Sequence, residues 1–247
     1  MFPIVHHLTD KTIDKTLGQL TILGGIFPDL AVGAGLDRNK AHQMGTQFYN
    51  WCKKAAPEGL PLARGIICHG DKPRGLDYYA DEAWPPGERG WCFQMGIPFH
   101  QKVASSTGLP QNLIYWKAHN FIELGCELIC HRQNPGLAKE ILTAVSDRAA
   151  VQAASELLAA YTSINSEIFA HCFNCVPHTF ALEEVTPTRC AERQARDFTR
   201  RFNCNSSDIT AMADLIEQIA LEIPTDFNDF YIIVIKQMSA MLKEFNP

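Results

Sequence analysis

The spacing of apolar residues constrains this chain more than any other feature. From Leu113 to about Arg132, the residues Ile114, Phe121, Ile122, Leu124, Cys126 and Leu128 recur at helical intervals. Similar spacing follows from Leu137 to about Tyr161, from Ile164 to Val176 and from about Thr188 to Phe202. Further segments start at Ser206-Ser207-Asp208 and at about Asp226, the last ending near Phe245. Almost no stretch alternates with period two; YIIVI at Tyr231 to Ile235 is the one local ambiguity. The expected fold is all-α: a single multi-helical domain over residues 1–247 of about seven to nine helices. At 46% hydrophobic content the 247 residues suffice for one sizeable core.

The N-terminal half has the same period with more interruptions. Thr9 or Asp10 is placed to cap a helix carrying Ile13, Leu17, Leu20 and Ile22. Gly24-Gly25 either weakens that helix or lets another segment approach closely. Asp37 opens a helical stretch to about Lys54, and Pro57, Gly59 and Pro61 mark a turn before Leu62, Ile66 and Ile67. Ala80 to Pro110 reads as a long ordered loop rich in proline, glycine and aromatics, of the kind that forms lids. Its Trp84, Trp91, Phe93 and Phe99 either line a pocket or pin the loop to the body.

Against this apolar background, certain polar groups stand out. The apolar helical segment carrying Leu62, Ile66 and Ile67 runs straight into His69 and Asp71, with Asp77 and Asp81 following. Asp29 sits between TILGGIFP and Leu30 to Val32. An acid enclosed by apolar sequence needs a partner, or else caps the next segment. His119 and Glu123 are one helical turn apart and share a face that continues to Glu127. His6 and His7 lie between Val5 and Leu8, and His42 lies near the apolar side of its helix. Together, His6, Asp29, His42, His69, Asp77, His119 and Glu123 make a mixed nitrogen and oxygen set suited to a divalent metal, zinc above all, with manganese or iron as alternatives. These residues lie within 1–130, and 131–247 reads as helical support. Asp81 reads as a helix cap.

A metal on such ligands supplies hydrolysis by an activated water. Asp71 or Glu127 is then available as a base. Lys72, Arg74 and Arg64 either grip an anionic substrate or form a solvated turn. Iron on the same ligands would serve an oxygenase or other redox enzyme. A non-enzymatic binding or scaffold protein would instead keep its histidines separately packed. No Gly-x-Ser-x-Gly, Walker loop or His-Glu-x-x-His occurs. His171, Cys172, Cys175 and His178 have the spacing of a zinc knuckle but read better as buried thiols on a helix.

The net charge of -5 argues against a stable nucleic-acid partner. Nine cysteines, most within apolar helical patterns, suggest reduced thiols and a cytoplasmic location. No signal peptide or transmembrane window is visible. The apolar C-terminal helix, with Ile232, Ile233, Val234, Ile235, Met238 and Met241, is core or a homodimer face.

Over roughly Val5 to Glu127, the sequence resembles helical enzymes of the zinc-dependent phospholipase C and P1 nuclease type. Asp29 in GGIFPD looks like the first acid of that plan, His42 like the histidine of the next helix, and His69 in LARGIICHGD like the histidine ending an apolar helix. His119 and Glu123 are similar to the helical pair, and His6 (or His7) to the N-terminal ligand. The resemblance implies phosphoester hydrolysis, on a small-molecule or lipid substrate. With a single clear His-x-x-x-Glu pair, it implies one or two metals. Acyl carrier protein phosphodiesterases and HD-type phosphohydrolases are also helical metal hydrolases; His-Gly-Asp in place of an adjacent His-Asp pair sets this chain apart from the latter.

Overall fold

The structure, a computed structural model, describes residues 2–245. Among these residues there are fifteen α-helices and no strand. They are α1 (Pro3–Ile13), α2 (Gln19–Leu30), α3 (Arg38–Gln43), α4 (Gly45–Ala55), α5 (Leu60–His69), α6 (Trp91–Gly96), α7 (His100–Thr107) and α8 (Gln111–Gln133). Then follow α9 (Gly136–Ser146), α10 (Arg148–Thr162), α11 (Ser166–Asn174), α12 (Val176–Phe180), α13 (Pro187–Phe202), α14 (Ile209–Glu222) and α15 (Pro224–Met241). The all-helical class is as expected, but the helices are more numerous and shorter.

The extra breaks have local causes. Asp147 divides the long stretch 137–161 because its carboxylate accepts from the amides of Ala149 (2.9 Å) and Ala150 (3.1 Å), starting α10 afresh. Residues 14–18 separate α1 from α2, so Ile13 and Leu20 belong to different helices. Asp37 caps α3 through the Lys40 amide (2.9 Å), and the helix restarts at Gly45 as α4. Helix α14 ends at Glu222, and Pro224 opens α15 in its first turn, where its missing N–H costs nothing.

The expected long loop at 80–110 is largely helical. It contains the π-helical turn Tyr78–Glu82, α6 and α7. Its aromatics do pin it to the body: Trp91 stacks on Phe230 at 4.6 Å, and Trp84 meets the same ring edge-on at 4.8 Å. Short helices suit this proline- and glycine-rich stretch because Pro98 lies within the first turn of a 3-10 segment and Gly108 ends α7 with φ at 66°.

Helix α8 is the central element. Its residues are buried without interruption from Phe121 to Cys130, and it touches α1, α6, α7, α9, α14 and α15. Helix α15 turns Val234 and Met238 inward and leaves Ile232 and Ile233 exposed. No helix among the described residues is long and apolar enough to cross a membrane.

The contact that positions the polar groups is between α2 and α5. A Cβ on Gly24 would lie 2.1 Å from the Leu62 carbonyl oxygen, and one on Gly65 would lie 2.2 Å from the Thr21 carbonyl oxygen and 2.5 Å from the Gly25 nitrogen. The two backbones therefore touch, and no side chain fits between them. Close approach is the role of Gly24-Gly25; Pro28 is absorbed into the last turn of α2. Asp10 of α1 packs beneath this crossing. Its carboxyl is buried, has no hydrogen bond among the described residues, and lies 2.6 Å from where a Gly25 Cβ would be. Burial pushes it up to about 8, and the Cys68 thiol and Arg64 offset only part of that rise.

Two outcomes are expected. Gly65→Ala forces the helices apart and lowers stability by roughly 3 kcal/mol in denaturant unfolding. Asp10 binds its proton more tightly folded than unfolded, so its contribution is full below the ordinary 3.8 and is lost as pH rises towards about 8. Asp10→Asn should therefore raise the melting temperature by roughly 5 °C at about pH 8 and by less at about pH 5.

Candidate metal centre

Helices α1, α2, α3 and α5 and the segment before the π-helical turn each deliver one group to a single point: His6, Asp29, His42, His69 and Asp77. The His6 and His69 rings stack at 3.7 Å, and His42 meets His69 edge-on at 5.2 Å. Asp77 is the hub. Its Oδ1 lies 3.2 Å from His6 Nε2, and its Oδ2 lies 3.2 Å from His69 Nε2 and 3.4 Å from His42 Nε2. Asp29 Oδ1 is 3.8 Å from the Nε2 of both His42 and His69. Five residues that a sequence reading treats separately are thus one cluster.

The histidines are oriented from behind. His42 Nδ1 donates to the Arg38 carbonyl (2.9 Å) and His69 Nδ1 to the Gly25 carbonyl (2.6 Å). These bonds fix the tautomer and leave each Nε2 lone pair facing the cluster, the usual preparation of an imidazole for a metal. The Nε2 atoms of His6, His42 and His69 are buried and make no aligned hydrogen bond among the described residues, although carboxylate oxygens lie within 3.2–3.4 Å. Ligands about 2.0–2.1 Å from a tetrahedral ion lie about 3.3–3.4 Å apart. The residues therefore fit a divalent ion in donor type, spacing and unsatisfied lone pairs.

Electrostatics agree with the geometry. Burial opposes ionisation of Asp29 and Asp77, yet nearby positive charge, the facing imidazoles included, holds both carboxyls low, Asp77 well below the ordinary range. Burial also opposes a charge on His42, but Asp29 and Asp77 raise it to about 10; His6, buried and beside His69, is lowered to about 4.

A second group lies alongside: Asp81, Cys92 and Glu123, all buried, with ligand atoms within 4.8 Å of one another. Burial and the Glu123 charge push Asp81 well up, so this pair retains a proton that a cation would replace. His119 is adjacent without being a member. Its ring stacks on Phe93 at 4.2 Å, and the Asn120 amide links its Nε2 (3.2 Å) to Glu123 Oε2 (2.9 Å). Asp81 is a member of a metal-capable group rather than a solvated cap, and Cys92 is an addition that its flanking glycines and aromatics conceal in the sequence. The only sequence signal for Asp81 is its four-residue spacing from Asp77.

Several expected roles are not met. Glu127 faces away from the cluster: its Oε1 and Oε2 accept from the amides of Ile4 (3.2 Å) and Val5 (3.3 Å). Burial raises it to about 7, with nearby Arg193 and those amides working against the rise. Its place is to cap the first turn of α1, just before His6, and not to act as a base. Lys72 and Arg74 are exposed, and Arg74 lies 4.7 Å over the Tyr78 ring. Arg64 pairs with Asp14 at 3.1 Å. His7 turns to Glu140 at 2.8 Å instead of joining His6. Cys172 and Cys175 are half-buried on α11 and its end, and with His171 and His178 they form no metal-capable group among the described residues. Asp71, by contrast, stays beside the cluster: it is buried, its amide donates to the His42 carbonyl (2.8 Å), and burial together with Asp77 raises its carboxyl.

Compared with known proteins, the chain matches no family model, no curated sequence and no solved structure.

Glu127→Ala leaves two buried amides without acceptors and should cost about 2–4 kcal/mol. It should also weaken metal binding through His6, and Glu127→Gln, which keeps one acceptor, should recover part of both. Thermal unfolding and a zinc titration measure the pair of effects; a catalytic base would instead lose turnover with stability intact.

Proposed function

We propose that this protein is a metal-dependent hydrolase that cleaves a phosphoester with an activated water. The observation that carries the reading is the convergence of three buried, unsatisfied Nε2 atoms with Asp29 and Asp77. Leaving such atoms unpaired costs stability, which makes sense if a ligand normally satisfies them. The arrangement runs against a scaffold role, which would have the histidines separately packed.

A divalent ion in this set supplies a water whose pKa falls towards neutrality and a positive charge for the oxygen that becomes negative in the transition state. The chain's own residues do the rest. The Arg38 and Gly25 carbonyls hold His42 and His69 in register. Asp77 ties the three imidazoles together, and Asp29, the most exposed member, stands where substrate enters. Asp71, buried beside Asp77 and His42, is the candidate to take a proton from water, since a carboxyl raised from its ordinary value is the better base. The thiol of Cys92 in the second group favours zinc or iron over magnesium. The phosphoester assignment also draws on the resemblance of residues 5–127 to zinc-dependent phospholipase C and P1 nuclease enzymes.

Elemental analysis of untagged protein should find about one to two equivalents of zinc, manganese or iron. His69→Ala should lose most of it while helical circular dichroism is retained. Wild-type protein that stays metal-free after reconstitution with each ion would sink the reading.

A further inference from the structure

The cluster has one open side. The side chains of His6, His42, His69 and Asp77 are at most 2% exposed, whereas that of Asp29 is 25% exposed. On the same rim stands Arg38, the first residue of α3, with its side chain 48% exposed. Its Nη2 is 3.7 Å from Asp81 Oδ2, beyond hydrogen-bond distance. Its charge is felt from both carboxylate groups, since Asp77, Asp81, Asp29 and Asp71 all favour the guanidinium, against the opposing effect of burial. Among the described residues, Arg38 is therefore a cation held at the edge of the cluster by charge, with no side-chain hydrogen bond to occupy its donors.

We infer that Arg38 is the substrate anchor of this centre, gripping an anionic phosphoryl oxygen once cations fill the carboxylate groups; this rests on the hydrolase reading above. The charge count supports it. Asp29, Asp77, Asp81 and Glu123 carry four negative charges when ionised, and two divalent ions would balance them. Of the four acids that act on Arg38, only Asp71 lies outside the metal-capable groups, so ions there would meet most of the negative charge that now faces the guanidinium. A guanidinium presents a planar fork that matches two phosphate oxygens, which an ammonium does not. The position also separates two roles of one residue: the Arg38 carbonyl orients His42 while its side chain reaches the rim. Replacing the side chain leaves the carbonyl in place, so metal binding and anion binding can be tested apart.

The test uses inorganic phosphate as the probe, titrated by calorimetry into the metal-loaded full chain. Arg38→Met should lower phosphate affinity about 10- to 100-fold with metal stoichiometry and melting temperature retained, and Arg38→Lys should recover only part. With an anionic phosphodiester as substrate the loss should fall on KM more than on kcat, and a neutral carboxylic ester should show no such rise in KM. Loaded Arg38→Met that binds phosphate as the wild type does would overturn the anchor role and leave the hydrolase reading standing. Loaded wild type that takes up metal but no phosphate would overturn it as well. Wild type that takes up no metal would overturn the hydrolase reading, and the anchor with it.

Discussion

The contact on which the candidate centre depends is the backbone-to-backbone crossing of α2 and α5. Gly24 and Gly65 let carbonyl and amide groups of the two helices meet where any side chain would intrude. This closeness sets the level at which Asp29 leaves α2 and His69 leaves α5. It also brings the Gly25 carbonyl within 2.6 Å of His69 Nδ1. One steric fact thus fixes two candidate ligands, the tautomer of one of them, and the floor on which α1 lays His6.

Around that crossing the chain accumulates polar groups that a helical core would ordinarily reject. His6, His42, His69, Asp77, Asp81, Glu123 and Glu127 are all buried. They are tolerated through mutual arrangement: imidazoles against Asp77, Asp81 raised by burial beside Glu123, and Glu127 against two backbone amides. The first two arrangements leave lone pairs unsatisfied or hold a proton in a position that suits a cation, whereas the third is complete in itself. That difference separates the candidate ligands from Glu127, although all are acids or histidines at similar depth.

Much of this was legible in the sequence. Helical spacing identified the fold class. Acids and histidines stranded in apolar runs pointed to His6, Asp29, His42, His69 and Asp77, because burying a charge without a partner is costly wherever it occurs. The illegible parts share a cause: they depend on contacts between residues distant along the chain. Glu127 continues the helical face of Glu123, so sequence cannot say that one turns to Asp81 and Cys92 and the other to the amides of Ile4 and Val5. Arg38 looks like any surface arginine until α3 is placed on the rim, whereas Lys72 and Arg74 look better by being adjacent to His69 in sequence. The stretch 80–110 reads as loop since its helices are only a few residues long and are held by tertiary contacts, notably Trp84 and Trp91 on Phe230.

The uneven exposure of the cluster bears on the role of α3. Four of its five side chains are sealed and the fifth, Asp29, borders the solvent beside the short helix α3. Helix α3 spans six residues and is tied down at its start by the Asp37 cap. Helix α3 also supplies His42, so the element that borders the exposed side of the cluster is itself one of its walls. The floor laid by α2 and α5 and the side wall laid by α3 thus contribute to one site, and a change in either would be felt by the same group of side chains.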